Sequence, residues 1–292
     1  MRMPLSLWLS VALTGAAPAI AATVSPAIAD PPSNAAYPAH NQQLLIPSHG
    51  VGLNALLLVT GGRAPHPTVI LMHGLPGNER NLDLAQAIRR AGWDVLTFTY
   101  RGAWGSPGDF SISNSMEDTA AALAFARSPD GAKLGIDTRH IVLAGHSMGG
   151  ATAFMTAAGT AGLDGLVLID AWNIAGGTSK GAVTRDELSR AFDDFGNSLH
   201  GATPQSVADE AVAKRAQWDL VEAARRLTEL RVLTINARYG IGERNRPVTA
   251  ALQSAGAKVT AIEIETDHSF SDHRFALSKA VVSWLQALPL KP

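Results

Sequence analysis

The feature that most constrains this chain is a repeated alternation of short apolar runs with helical patterns. Several of the apolar runs are continuous rather than alternating in polarity, which is typical of strands buried on both faces. The alternation predicts an α/β fold, in which a mostly parallel central sheet is flanked by helices through right-handed crossovers. The predicted strands are 53–59, 68–72, 94–100, 140–144, 163–169, 231–236 and 258–264, and the predicted helices are 82–91, 115–127, 148–158, 247–255 and 271–285.

One stretch, residues 171–230, departs from this alternation. It begins as a Gly-rich loop and continues with helical patterns at about 184–195 and 204–230, with no convincing strand. It is longer than most connections between neighbouring elements of a sheet. We therefore expect a helical cap insertion over the ends of the strands, within one α/β domain that extends over residues 47–292.

The first residues differ in character from the rest of the chain. Arg2 precedes an apolar run at 5–13, and small-x-small sites follow at 19–21 and 27–29. This pattern predicts a secretory signal peptide over residues 1–29, because the apolar run is shorter than the ~20 residues that cross a bilayer. We expect an exported protein, periplasmic or secreted, with no stable membrane insertion after cleavage. Residues 30–46, rich at first in Pro, Ala and Asn, are predicted to form a flexible lead-in.

Composition excludes several classes of function. Lys and Arg total 24 against 25 Asp and Glu, so the net charge is −1 and no nucleic-acid partner is expected. The sequence contains no cysteine, which excludes disulfides, cysteine nucleophiles and thiolate zinc sites. A hydrophobic content of 46% with 17% charged residues is too apolar for a disordered chain.

The strongest chemical signal is the pattern G-x-S-x-G at residues 145–149, between a predicted strand and a predicted helix. In this context the pattern predicts a nucleophile elbow, whose tight turn lifts the hydroxyl of Ser147 out of the sheet. Gly145 and Gly149 allow the backbones of strand and helix to approach each other. The N-terminus of the following helix favours developing negative charge beside the serine. Ser147 is therefore the candidate nucleophile.

A second signal, His-Gly-Leu-Pro-Gly at residues 73–77, directly follows the predicted strand 68–72. Acyl transfer needs N–H donors aimed at an oxyanion. Leu75 is the natural donor in this loop, because the proline that follows it has no N–H. Met148, the residue after the nucleophile, is the second expected donor. His73 and Gly74 support the loop, and His73 is expected to shape the backbone rather than to titrate in catalysis.

Two histidines are candidates for the general base. His268 is the first histidine after the last predicted strand, and a neutral imidazole can accept the serine proton near neutral pH. His273 is expected in the first turn of the last helix, with Ser271 or Asp272 as N-cap, where the helix N-terminus disfavours an imidazolium. These histidines lie close in sequence to Asp267 and Asp272, but no second group with metal-ligand spacing accompanies them, so no metal is expected.

Together these motifs resemble the α/β-hydrolase superfamily. The resemblance rests on residues 73–77, 100–108, 145–150 and 267–268, in that order, and extends over about residues 47–288. It implies the chain order nucleophile, acid, histidine, and it implies that the loop beginning at Tyr100 helps to shape the entrance to the site. Chemistry of this kind needs no cofactor.

The acid is where the sequence departs from the family pattern. In the family it usually follows the strand that corresponds here to 231–236, but the residues that follow, 238–243, contain no aspartate. Glu243 would serve if the loop curls back. Asp170, at the end of the preceding predicted strand, is the favoured candidate, because some lipases of the superfamily carry their acid there and because carboxylates at such strand ends face the site.

The expected function is hydrolysis of an ester or related acyl bond in a small-molecule substrate, as in carboxylesterases. A serine peptidase acting on short peptides is the alternative, since cap carboxylates at 186, 187, 193 and 194 would bind a free α-amino group. A catalytically inactive binding protein with the same fold is the alternative of another class, suggested by the missing aspartate.

Overall fold

Most of the apolar sequence runs form buried strands in the computed structural model of the protein, which describes residues 25, 27–178, 181–193 and 198–290. Eight strands share one sheet, and two short strands pair separately in the inserted stretch. The strands are β1 (His40–Ser48), β2 (Val51–Val59), β3 (His66–Met72), β4 (Asp94–Phe98), β5 (Ile136–His146), β6 (Gly165–Ile169), β7 (Gly177–Thr178), β8 (Gly181–Ala182), β9 (Arg231–Ala237) and β10 (Lys258–Ile264).

The order of strands in the large sheet is β1-β2-β4-β3-β5-β6-β9-β10. All neighbours from β4 to β10 are parallel, whereas β2 runs antiparallel to both of its neighbours. The predicted mostly parallel sheet flanked by helices is therefore confirmed. Because the parallel strands point the same way, the loops that follow them meet at one edge of the sheet, where α/β proteins place their sites.

Helices cover both faces of the sheet. They are α1 (Leu82–Arg90), α2 (Ile112–Ala126), α3 (Pro129–Lys133), α4 (Met148–Ala158), α5 (Arg185–Ala191), α6 (Pro204–Lys214), α7 (Leu220–Ala223), α8 (Arg246–Ser254) and α9 (Arg274–Gln286). On one face α1 and α9 bury side chains such as Ile88 and Val281, and on the other α2, α4 and α6 bury Leu123, Phe154 and Val207. No helix within the described ranges is long and apolar enough to span a bilayer.

The lead-in is shorter than predicted, because residues 40–46 belong to β1. This strand pairs with β2 along its whole length, in a hairpin whose two turn residues, His49 and Gly50, both have positive φ. Two successive residues with positive φ are typical of the tight turns that join antiparallel strands. The prediction failed here because the stretch before residue 47 has too few apolar residues to indicate a buried strand; β1 lies at the edge of the sheet and is mostly exposed.

The inserted stretch between β6 and β9 is less helical than predicted. In place of one helix over 204–230 the chain forms α6, a 3₁₀ turn at Arg215–Trp218, α7 and a second 3₁₀ turn at Ala224–Arg226. The interruption coincides with Asp219, whose side chain accepts the Val221 N–H at 2.9 Å and so starts a new helix. Of the helix predicted at 184–195, residues 185–191 form α5, which begins with a capping box at Thr184, and residues 194–195 lie outside the described residues.

Candidate active site

The G-x-S-x-G segment forms a sharp turn from strand to helix. Ser147 lies between the end of β5 and the start of α4, with φ 55° and ψ −121°. A non-glycine residue with positive φ is uncommon and persists only where its surroundings enforce it. The Ser147 N–H donates to the Ile169 carbonyl at 3.0 Å, and the Ser147 carbonyl accepts the Trp172 N–H at 2.9 Å. The chain after β6 therefore holds the serine in the strained conformation typical of a nucleophile elbow.

The loop at residues 73–77 lies directly against this turn. A Cβ placed on Gly74 would lie 2.9 Å from the Cβ of Ser147, so the two backbones are as close as glycine allows. Met148 is the first residue of α4, and the first N–H groups of a helix have no partner within it. The structure thus brings the segments of both predicted oxyanion donors, Leu75 and Met148, to the same place beside Ser147, with Gly145 and Gly149 flanking the turn.

Asp170 and His268 form a hydrogen-bonded pair. The Asp170 carboxylate is fully buried, and its Oδ2 lies 2.6 Å from Nδ1 of His268, whose side chain is 36% exposed. The same carboxylate accepts the backbone N–H of Ala237 at 3.1 Å and of Ile241 at 2.9 Å. A carboxylate can only accept, so Nδ1 of His268 carries the proton. These donors compensate for the burial of the charge, and the hydrogen bond of Nδ1 fixes the orientation of the imidazole.

The loop after β9 explains why no aspartate follows that strand. Residues 237–242 wrap around the Asp170 carboxylate, and a side chain at Gly240 would collide with Asp170 Oδ2. The position where the family usually carries its acid is therefore occupied by backbone that binds an acid from the neighbouring strand. Of the two carboxylates left open by the sequence, the structure brings Asp170 to His268, while Glu243 is exposed in the 3₁₀ turn Gly242–Asn245.

The second candidate base, His273, lies outside this arrangement. It occupies the N-cap position of α9 itself, so the predicted caps at Ser271 and Asp272 are wrong. The reason is a turn that precedes the helix, in which the Ser271 N–H donates to the Asp267 side chain at 2.8 Å. The Nδ1 of His273 lies 2.9 Å from Asp272. Within the described parts of the chain no group of three or more His, Asp or Glu side chains is arranged to hold a metal ion.

Two further histidines are buried beside the candidate site. His146 packs its ring on that of His268, with 4.6 Å between ring centroids, and its Nε2 lies 2.8 Å from the His268 carbonyl. His73 donates from Nδ1 to the Gly74 carbonyl at 2.7 Å. Burial lowers the pKa of His146 to about 3 and the pKa of His73 to about 4. Both rings are therefore neutral at physiological pH, and each supports a backbone segment of the site.

A contribution that the sequence did not indicate comes from Arg274, the first residue of α9. Its guanidinium donates to the Ser269 carbonyl at 2.8 Å and to the Asn81 side chain at 2.9 Å, and it forms a bidentate pair with Asp83. It therefore joins the loop that carries His268 to the segment that follows the loop at residues 73–77. No local motif marks an arginine for this role, because its partners are distant in sequence.

The loop after β4 is anchored on one side and contacts the inserted stretch on the other. The Arg101 side chain donates to the fully buried Asp118 at 2.7 Å, and the Arg101 backbone N–H donates to the same carboxylate at 2.8 Å. Ala103 bridges to Leu199 of the inserted stretch. Trp104 donates its indole N–H to the Pro76 carbonyl, in the loop at residues 73–77, at 2.8 Å. The loop after β4 thus lies between residues 73–77 and the inserted stretch.

Comparison with known proteins agrees with this geometry. A model of the alpha/beta hydrolase family matches residues 69–280, most of the 292-residue chain, and the protein therefore belongs to that family. Its fold is similar to that of an esterase from Pyrobaculum calidifontis, with a TM-score of 0.65 and 22% identity over 86% of each chain.

Other solved structures share the fold with similar TM-scores and sequence identities. The carboxylesterase EstE1, cloned from a metagenomic library, has a TM-score of 0.66 and 20% identity over 91% of this chain and 92% of its own. A thermostable esterase from Pseudomonas putida has a TM-score of 0.60 and 16% identity over 88% of this chain and 85% of its own. No curated protein matches the chain significantly. At these identities the likeness to solved structures shows the fold alone.

The two buried neutral histidines predict a loss of stability in acid. In the unfolded chain they take up protons near pH 6.5, but in the folded protein only near pH 4 and pH 3. Above pH 6.5 the burial of these neutral rings therefore hardly changes the free energy of unfolding. As the pH falls, each buried ring lowers the free energy of unfolding, by about 2 kcal/mol between pH 7 and pH 5. Urea unfolding of the wild type, His73→Asn and His146→Gln at both pH values will test this. Each variant should reduce the loss by about 2 kcal/mol, and an unaltered loss in both would contradict the assignment.

Proposed function

We propose that the protein is a serine hydrolase that cleaves an ester, or a related acyl bond, in a small-molecule substrate. The observation that carries the proposal is the buried Asp170 carboxylate at 2.6 Å from His268 Nδ1, at the same sheet edge as the strained Ser147. To bring Ser147, Asp170 and His268 to one edge, the segments that follow three different strands, β5, β6 and β10, must converge. The nucleophile, acid and histidine also follow the order expected of the family.

In the first half of the reaction Ser147 Oγ attacks the carbonyl carbon of the substrate. Nε2 of His268 accepts the hydroxyl proton, because Nδ1 already carries a proton that it donates to Asp170. The resulting imidazolium is stabilised by the buried carboxylate. The N–H groups of Leu75 and Met148 bind the oxyanion, and the N-terminus of α4 adds a favourable partial charge.

The first half ends when His268 returns its proton to the leaving oxygen and the alcohol departs, which leaves the acyl group on Ser147 Oγ. In the second half this acyl-enzyme is hydrolysed. A water molecule attacks the acyl carbonyl while His268 accepts one proton of the water; His268 then passes that proton to Ser147 Oγ as the acyl–Oγ bond breaks, and the acid is released with Ser147 regenerated. Every proton passes through Nε2 of one imidazole, so the protein's own residues complete the cycle.

Two observations favour an ester over a short peptide as substrate. Solved structures that share this fold include esterases from Pyrobaculum calidifontis and Pseudomonas putida and the carboxylesterase EstE1. In addition, the cap carboxylates considered for binding an α-amino group are engaged locally: Glu187 caps its own helix through Thr184, and Asp186 lies beside Arg185. Asp193 is exposed, and residue 194 lies outside the described residues.

We also propose that the protein acts outside the cytoplasm, on the basis of the signal-like pattern in residues 1–29. Most of this segment, residues 1–24 and 26, lies outside the described residues. N-terminal sequencing of the protein recovered from periplasm and medium will test the proposal. A start within or just after residues 20–30 is expected, and recovery with Met1 intact only from the cytoplasm would exclude it.

Hydrolysis of p-nitrophenyl acetate, butyrate and octanoate will test the proposed reaction. The wild type should release p-nitrophenol, Ser147→Ala should not, and a fluorophosphonate probe should label only the wild type, because labelling requires an activated serine. The dependence on chain length will show how large an acyl group the site accepts. Failure of the probe to label a folded wild type would favour a catalytically inactive binding protein instead.

A matched pair of substitutions will test which carboxylate supports the base. Asp170→Asn keeps the shape of the side chain but removes the acceptor for the Nδ1 proton, so kcat should fall by about 10³- to 10⁴-fold. Glu243→Gln, in the exposed 3₁₀ turn, should retain wild-type kcat. Circular dichroism of both variants will confirm folding. The reverse result, with Glu243→Gln inactive and Asp170→Asn active, would assign the acid to the loop after β9.

A further inference from the structure

A groove of about 580 Å³ lies across β1, β2 and β4, next to the oxyanion loop. Its walls include three large apolar side chains that are unusually exposed: Leu45 is 62% exposed, and Leu82 and Trp104 are each 40% exposed. Such side chains are costly to leave in water when they are grouped around one concave surface. The groove therefore has the composition of a binding surface for an apolar chain.

Arg80 supplies the charge of this groove. It is the one charged residue among those described as lining it, and its guanidinium carbon lies 5.5 Å from the centroid of the Trp104 ring. No carboxylate among the described residues forms a salt bridge with Arg80, whereas the adjacent Glu79 is within 3.8 Å of Arg274. Stacking on an aromatic ring holds a guanidinium in place while its N–H donors remain available.

Other concave surfaces of the protein differ in this respect. Three other cavities formed by described residues also have an arginine in their walls, namely Arg226, Arg244 or Arg246. Each of these three cavities is also lined by a glutamate. Their positive charge therefore has a negative group close by. In the groove at Arg80 the positive charge has no such counterpart, so an anionic ligand would be electrostatically complementary to it.

The groove is connected to the candidate active site through Trp104. The indole N–H donates to the Pro76 carbonyl at 2.8 Å, next to the proposed oxyanion donor Leu75. The positive charge of Arg80 also reaches this loop, since it adds to the dominant effect of burial in lowering the pKa of His73. Trp104 therefore places one wall of the groove directly against the loop that carries the proposed oxyanion donor.

The order of strands indicates which half of the substrate lies there. Ser147 follows β5, His268 follows β10 on one side of it, and the groove lies over β4 and β2 on the other side. His268 must face the leaving oxygen in order to return its proton to it. The alcohol half of an ester is thus directed toward β6 and β9, and the acyl half toward the groove.

We propose that the groove binds the acyl chain of the substrate and that Arg80 binds an anionic group at the end of that chain. The preferred substrates are then esters of acyl groups with an anionic end, of the kind represented by a monoester of a dicarboxylic acid. Leu45, Leu82 and Trp104 contact the methylene chain, and the guanidinium forms charge-assisted hydrogen bonds with the terminal carboxylate. This inference rests on the proposed function for its choice of substrate.

Kinetics with two substrates of equal chain length will test the inference. The mono-p-nitrophenyl ester of adipic acid ends in a carboxylate, and p-nitrophenyl hexanoate ends in a methyl group. The wild type should favour the adipate ester in kcat/KM by about 10- to 100-fold, which is the effect expected of hydrogen bonds to a charged group. Arg80→Gln should abolish this preference.

The control is Arg63→Gln, at an exposed position in the loop between β2 and β3, which should preserve the preference. An equal preference in wild type and Arg80→Gln, or none in the wild type, would overturn the inference.

Binding without turnover separates this inference from the proposed function. In a Ser147→Ala background, calorimetry should detect monomethyl adipate, and adding Arg80→Gln should weaken its affinity at least about 10-fold. Binding of this kind, together with a wild type that hydrolyses no ester, would leave the groove assignment standing and refute the ester hydrolase. Hydrolysis of neutral esters with no Arg80-dependent binding or preference would do the opposite.

Discussion

The hydrogen bond between Asp170 and His268 is the interaction on which the rest of the candidate site depends. A fully buried carboxylate is tolerated only if its acceptor sites are satisfied, and here the imidazole and two backbone N–H groups of the β9 loop satisfy it. The same donors set the orientation of the carboxylate and the tautomer of the histidine. The loop after β9 therefore binds the carboxylate instead of supplying one. Residue 240 is a glycine because a side chain there would collide with Asp170.

Around this pair the site is built from close backbone packing rather than from long side chains. The positive φ of Ser147 is held by hydrogen bonds to the strand end at Ile169 and to Trp172. Gly74 brings the loop at residues 73–77 against the serine, and His146 packs against the ring and carbonyl of His268. Each of these contacts joins the segments at the ends of two different strands of the sheet. Rigid strands thus fix the separation of Ser147, Asp170 and His268, as the proposed reaction requires.

Arg274 and Arg80 show two different uses of an arginine near the same loop. Arg274 is surrounded by acceptors from two segments and joins them. Arg80 stacks on Trp104 in a groove whose other walls are uncharged, so its capacity to bind an anion is not taken up by the protein itself. Neighbours in the chain, Glu79 and Asp83, contact Arg274 instead. Arg274 therefore stabilises the arrangement of the two segments, whereas Arg80 is suited to binding a ligand.

Local pattern in the sequence determined the strands, the mostly parallel sheet and the elbow at Ser147, because buried strands and tight turns require particular residues within a few positions of each other. The same reasoning missed β1, whose stability comes from pairing with β2 rather than from its own apolarity. It left the acid open between Asp170 and Glu243, because neither spacing nor composition reports which strand end faces a histidine far along the chain. Only the tertiary structure decided that pairing, the positions of Arg274 and His146, and the groove at Arg80, since each depends on contacts between segments that are distant in sequence.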